Sequence, residues 1–217
     1  INKRDGLLRE KSWQEEFARL DKGVMGEQSV LSFLRKCDEP HWKVLQNVWL
    51  DYYGEFEIDL MVLTRVGIYT FEVKNYSGKL EYENHQCKLN SQPIGQNPFS
   101  QTQKVATQLR NILGGPIKNV LLFIGESNTV QVRDEITGIQ VLMRNELQNY
   151  IWQMVQEERN YLGYPLDIND MLHALRHHEI GRPSKEKILP TYLKQHLRKG
   201  TRCNHCRNLK VEQRKGY

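Results

Sequence analysis

Apolar and polar residues alternate through Glu57–Thr64 and again through Ile68–Lys74, in runs rich in β-branched and aromatic side chains joined by Thr64-Arg65-Val66-Gly67. The pattern predicts two strands and a short antiparallel hairpin. If the hairpin is symmetric about Arg65 and Val66, Asp59 faces Glu72, and directly opposed side chains lie roughly 5 Å apart. Period-two alternation then puts Lys74 on the same face, and Ile58, Leu60, Val62, Tyr69, Phe71 and Val73 on the other, apolar one.

The same reading extends along the chain. Trp13, Phe17 and Leu20 follow the helical i, i+4, i+7 spacing behind Ser12, which predicts a helix there. A second helix is expected from about Gly26 to Lys36, with Val30, Leu31, Phe33 and Leu34 apolar and Glu27 on the buried stripe. Trp42–Leu50 reads as a strand turned into the hairpin by Asp51-Tyr52-Tyr53-Gly54, and Lys79–Glu83 and Cys87–Asn90 read as strands continuing a meander. His85 falls in the intervening turn and Cys87 reads as a small packing residue.

After a loop with Pro93, Gly95 and Pro98, Val105, Leu109 and Ile112 mark a helix from about Ser100 to Leu113, stopped by Gly114-Gly115-Pro116. Val120–Ile124 is continuously apolar, as expected of a strand covered on both faces, and Gln140–Met143 resembles it. A helix capped by Asn145 is expected over Glu146–Gln156, another capped by Asp167 or Asn169 through His178, and a basic one over Lys185–Lys199. Helix and buried strand after a meander predict an α/β fold, a mixed central sheet flanked by helices in an α/β/α sandwich. The divisions expected are an N-terminal helical segment (1–22), the α/β domain (23–144), a helical extension (145–199) and a basic tail (200–217).

Length permits one domain and an appendage within 217 residues. No run of about 18 apolar residues exists, so no membrane span is expected, and the first residues lack the apolar core of a signal peptide. Four cysteines, Cys37, Cys87, Cys203 and Cys206, are too scattered for a disulfide scaffold, which favours a reducing compartment, the cytoplasm by default. The net charge of +5 is unevenly spread. From Arg182 to Lys215 eleven Lys and Arg oppose only Glu186 and Glu212, a balance of +9 that leaves −4 on residues 1–181. Such a tail attracts phosphates by counterion release. Lys185, Lys187, Lys194, Arg198, Lys199, Arg202 and Arg207 are its candidate nucleic-acid contacts, and a merely solvated tail is the competing reading.

Opposed Asp59 and Glu72 need a compensating cation. Lys74 supplies one charge, and a hard ion such as Mg²⁺ or Mn²⁺ suits the oxygen pair. A surface ion-pair cluster on a half-exposed hairpin is the competing reading. Glu27 on a buried stripe wants a partner, or serves only the dipole of its helix. His173 and His177 stand i, i+4 without the following Glu of a zinc-protease motif. Cys203-Asn204-His205-Cys206 is half a zinc ribbon, and holds Zn²⁺ only where further ligands complete it.

Gly26-Glu27, Ile58-Asp59, Glu72-Val73-Lys74-Asn75-Tyr76-Ser77-Gly78 and Asn97-Pro98 with Gln101, in this order, resemble the nuclease-related domain (NERD), a family within the PD-(D/E)xK nuclease superfamily. The resemblance spans about Val24 to Leu142, and Ile58 stands where the superfamily's name has Pro. It implies a restriction-endonuclease-like core and a metal-dependent nuclease acting on phosphodiester bonds, most readily in DNA. Asp59, Glu72 and the Val73 carbonyl would ligate Mg²⁺, with Glu27 helping. Lys74 would position the attacking water or neutralise developing charge, and Gln101, with Gln103 as alternative bearer, would point into the site. The competing functions are a nucleic-acid-binding module with this fold but no turnover, and an interaction domain of a larger DNA-processing or defence complex.

Overall fold

The 57–74 hairpin forms with the register that its alternation predicts. Strands Lys43–Asp51 (β1), Glu55–Leu63 (β2) and Ile68–Lys74 (β3) run antiparallel, and β2 pairs with β3 as Leu60↔Phe71, Met61↔Thr70, Val62↔Tyr69 and Leu63↔Ile68. The turn is locked by Thr64, whose hydroxyl accepts from the Gly67 N–H at 3.0 Å. The structure, a computed structural model, describes residues 23–37 and 39–181. The helix expected near Trp13, the basic helix and tail beyond Arg182, and Cys203 and Cys206 lie outside them.

Beyond the hairpin come Gly78–Glu83 (β4), Gln86–Leu89 (β5), Gln92–Pro93 (β6), Ile117–Phe123 (β7), Asn128–Val132 (β8) and Ile139–Met143 (β9). Residues 23–36 are helical (α1), followed by Pro98–Leu113 (α2), Leu147–Arg159 (α3) and Ile168–Arg176 (α4). One sheet has the order β1-β2-β3-β7-β9, with β3, β7 and β9 mutually parallel; a second has the order β6-β5-β4-β8. The fold is therefore mixed α/β, two mixed sheets flanked by helices.

Three apolar clusters explain the layering. Val30, Leu31 and Leu34 of α1 and Leu147, Ile151, Met154 and Val155 of α3 cover one face of the large sheet against Leu60, Val62, Tyr69, Phe71, Val120 and Leu122. Val105 and Leu109 of α2 and Met171 and Leu175 of α4 cover the other against Val48, Leu50, Ile58, Met61 and Leu63. The small sheet packs Leu80, Tyr82 and Cys87 on Phe99, Leu121 and Phe123. Each fully buried large apolar side chain contributes about 1.5–3 kcal/mol. No described helix is long and apolar enough to cross a membrane.

Several expectations are corrected. Ile58 does not share a face with Leu60 and Val62: it packs under α2 and α4, whereas they pack under α1 and α3. The cause is a backbone irregularity. Asn47 has a positive φ of 52°, and the β1–β2 ladder skips Asn47 and Asp59 between Gln46↔Leu60 and Val48↔Ile58. The facing side flips there in both strands. The meander does not continue either, because β4 leaves the large sheet and pairs with β5 and with β8, a strand not anticipated. Nor does Asn145 cap α3; the Glu146 carboxylate instead accepts from the Met143 N–H at 2.7 Å.

Candidate active site

β2 and β3 stay paired only as far as Leu60↔Phe71, whereas β3 continues alongside β7 through Lys74↔Phe123. This leaves a notch beside the end of β3, and Asp59 fills it: one carboxylate oxygen accepts from the Val73 N–H at 2.9 Å. A side chain thus satisfies a backbone donor that the departing strand no longer serves. Glu72 and Lys74 project from the opposite face of β3 to Val73, toward α2.

Glu72 is 5% exposed, and its Oε1 lies 2.5 Å from the Lys74 ammonium. That ammonium is the partner of this buried oxygen. Burial first, and then the Asp59 charge, push the Glu72 carboxyl up to about 7, with Glu57 adding to the rise and Lys74 opposing it. Asp59 is raised by burial as well, against the lowering effect of the Val73 N–H and Lys74. Burial pulls Lys74 down, but the charge and hydrogen bond of Glu72 carry it above its ordinary value.

The fourth member comes from α2. Asn97 caps this helix by accepting from the N–H groups of Phe99 (3.0 Å) and Ser100 (3.4 Å), and its amide donates to the His85 carbonyl in the β4–β5 turn. Pro98 is suited to the first turn, where its missing N–H costs nothing. One turn on, Gln101 accepts from the Lys74 ammonium at 3.2 Å. Gln101 is half-buried and Gln103 exposed, so Gln101 is the amide that meets this cluster.

Glu27 is held differently. It follows Gly26, where an added Cβ would lie 2.5 Å from Ile124 Cδ1 and 3.5 Å from Val73 Cγ1, so α1 runs close to the end of β3 and a larger residue there would have to move the end of the Ile124 side chain. Among the described residues no group of three or more His, Cys, Asp or Glu side chains is placed to hold a metal ion. Asp59, Glu72, Lys74 and the Gln101 amide thus come together at the end of β3. Glu57, missed in the sequence, acts on Glu72 by charge. Two-residue spacing from Asp59 was the available signal.

Residues proposed from sequence for the tail and the half ribbon (Lys185, Lys187, Lys194, Arg198, Lys199, Arg202, Arg207, Cys203, Cys206) lie outside the described residues. His173 and His177 meet edge to face with ring centroids 4.7 Å apart, and belong to no metal group among the described residues. A cleft of about 480 Å³, lined by Tyr69, Lys118, Asn119, Gln140, Tyr150 and Glu157 among others, opens at the amino ends of β3, β7 and β9. Sites in sheets of this kind sit beyond the carboxyl ends of the parallel strands, where Glu72 and Lys74 lie.

The chemistry of the donor set fits a hard divalent ion. Two carboxylates in low-polarity surroundings repel each other and are driven toward protonation, which an oxygen-seeking dication would reverse. Glu72 Oε1, held by the Lys74 ammonium at 2.5 Å, would become available to an ion once that pair opens.

Residues 22–124 match the family model of the nuclease-related domain, and this stretch contains Glu27, Asp59, Glu72, Lys74 and Gln101. The resemblance carried by the four sequence motifs therefore holds for this part of the chain, and it is consistent with a PD-(D/E)xK nuclease-like domain. The chain is also similar to an uncharacterized protein of Bacillus anthracis, 34% identical over 91 residues, which are 38% of this chain and 42% of that protein. The match thus spans less than half the length of that relative. No solved structure matches the chain significantly.

Proposed function

We propose that the protein is a metal-dependent nuclease that hydrolyses phosphodiester bonds in DNA, working in the cytoplasm. The observation that supports this reading is the convergence of Asp59, Glu72, Lys74 and Gln101 from two strands and a helix at the splayed end of the sheet. Asp59, Glu72 and the Val73 carbonyl are the groups to hold Mg²⁺ or Mn²⁺, with Glu27 assisting from α1. When bound, the ion supplies positive charge for the phosphoryl oxygens and lowers the pKa of a water.

The chain's own groups have distinct tasks. Asp59 is fixed by the Val73 N–H, so its free oxygen is presented in one orientation. Lys74 stays protonated and, released from Glu72, offers its charge to the phosphate or its N–H to the attacking water. Gln101, already within hydrogen-bond reach of Lys74, orients that ammonium. The basic tail beyond Arg182 retains the polyanion through salt-dependent contacts.

A second reading, a nucleic-acid-binding module without turnover, is favoured by the closed Lys74–Glu72 ion pair. Incubation of linear and circular DNA with Mg²⁺ separates the two. The wild type should cleave, EDTA should stop it, and Asp59→Ala and Lys74→Ala should each lower the rate by about 10²–10⁴-fold. Cleavage untouched by both substitutions would remove this site from consideration, and retardation of DNA without cleavage would select the binding module.

A further inference from the structure

Tyr53 occupies a position that the packing of the domain does not explain. It lies in the β1–β2 turn, is 91% exposed, and has a φ of 52°, a left-handed conformation that a bulky residue adopts at a cost. Asn or Gly is the usual choice in such a turn. The ring is nonetheless held: it meets Tyr52 edge to face at 4.7 Å, and Tyr52 meets His178 in the same way at 5.2 Å. Behind them the Asp51 N–H donates to the His178 carbonyl at 2.8 Å, which fastens the turn to the end of α4. A supported aromatic ring with its outer face open is thus presented to solvent.

The turn lies at the same end of the large sheet as the candidate active site. Glu55, two residues after Tyr53, begins β2, and Asp59 is four residues further on, about 13 Å of strand. Helix α2 joins the two places. Gln101 contacts Lys74 at 3.2 Å, and Gln108, seven residues on, donates to the Tyr52 carbonyl at 2.8 Å. Lys104 is three residues from one and four from the other, on the same helical stripe. It is exposed and has no hydrogen bond or ion pair among the described residues.

We propose that Tyr53 is a base-stacking platform and Lys104 a backbone-phosphate contact, and that together they select substrates with an unpaired strand beside the scissile bond. This rests on the nuclease reading above and deepens it by naming the substrate class. A base offers its ring face to a side chain only when it is unstacked from its own strand, so a ring platform favours single strands over duplex. Gln101 and Gln108 are seven residues apart on α2, about 10 Å of helix at 1.5 Å per residue, so a strand leaving the cleavage point would pass Lys104 on its way to Tyr53.

The test uses the full chain and fluorescent oligonucleotides of one sequence, single-stranded and as duplex, with Ca²⁺ replacing Mg²⁺ for binding by anisotropy and Mg²⁺ for cleavage. The readout is the ratio of single-strand to duplex affinity, which cancels what the basic tail adds to both. Tyr53→Ala should lower single-strand affinity about 5- to 100-fold and leave duplex affinity unchanged, while Tyr53→Phe retains the preference. Lys104→Ala should lower the salt slope for the single strand by about 0.7.

An unchanged affinity ratio in Tyr53→Ala, in a wild type that binds and cleaves, overturns this proposal and leaves the nuclease reading intact. A lowered ratio in a protein that never cleaves supports the platform and removes the nuclease. A wild type that neither binds nor cleaves ends both.

Discussion

The buried Asp59–Glu72 pair should make the stability of the metal-free protein fall as pH rises, opposite to the usual behaviour of carboxylates. Glu72 is pushed up to about 7 in the folded chain, against about 4.3 for a glutamate in an unfolded one. A group whose folded pKa is raised stabilises the fold fully below its unfolded pKa, and that contribution is lost as pH climbs through the folded value. Between about pH 5 and pH 7 the folded state holds one proton more than the unfolded, so stability should decline by about 1.4 kcal/mol per pH unit, roughly 3 kcal/mol in all. The buried Asp59 is shifted the same way. Glu157 and Asp134, by contrast, are lowered, and their contribution is lost only as the medium becomes acidic, outside this window. Urea unfolding in EDTA from pH 5 to pH 8 measures the decline through the midpoint at constant slope. Millimolar Mg²⁺ should flatten it, because a bound dication holds both carboxylates ionised. A metal-free protein whose stability is level or rises from pH 5 to pH 7 would refute the claim that Glu72 is buried beside a second acid.

Two predictions concern the scaffold. Glu158 is buried and joins the Trp42 indole N–H to the Arg65 guanidinium at 2.9 Å, tying α3 to the β2–β3 turn. Glu158→Ala should lower stability by about 1–3 kcal/mol, the cost of a buried donor left without an acceptor, and a loss under 0.5 kcal/mol by urea titration would count against that tie. At Gly125 an added Cβ would land on the backbone carbonyl of Tyr76, just past the end of β3. Gly125→Ala should therefore cost more than about 2 kcal/mol and lower cleavage with it, and a variant with unaltered melting and rate would show that this backbone gives way freely.

The hairpin was legible because period-two alternation and a symmetric turn leave only one register that buries both runs. The helix carrying Gln101 was legible from its apolar stripe, but it starts at Pro98 and not at about Ser100: Pro98, read as part of the loop, is instead the first helical residue behind the Asn97 cap. The small sheet was not. Alternation in 79–90 specifies strands but not which sheet they join, and β8, Asn128-Thr129-Val130-Gln131-Val132, is short and mostly exposed, with little apolar surface to announce it. Asn145 illustrates a lost competition: asparagine has the stronger capping propensity, yet the longer Glu146 side chain reaches the Met143 N–H.

The site itself was half legible, and the missing half follows from one backbone feature. Strict alternation puts Asp59 and Glu72 side by side on one surface, with Ile58 and Leu60 together beneath. The positive φ at Asn47, the skipped Asn47–Asp59 pair and the loss of β2–β3 pairing after Leu60 turn Asp59 into the plane of the sheet instead. There it takes the Val73 N–H and leaves Glu72 to Lys74. An in-plane acid and an out-of-plane acid can approach one ion from two directions, which two parallel side chains on a flat surface cannot do as readily. The irregularity that defeats the sequence pattern is therefore what sets the two carboxylates on different partners, Asp59 on the Val73 N–H and Glu72 on Lys74. Asn47 is the residue through which this should be tested, since a β-branched side chain resists a left-handed backbone. Asn47→Val should straighten β1, return Asp59 to the ladder and abolish cleavage without touching any polar group of the site. Retained cleavage in a folded Asn47→Val protein would show that the kink is incidental.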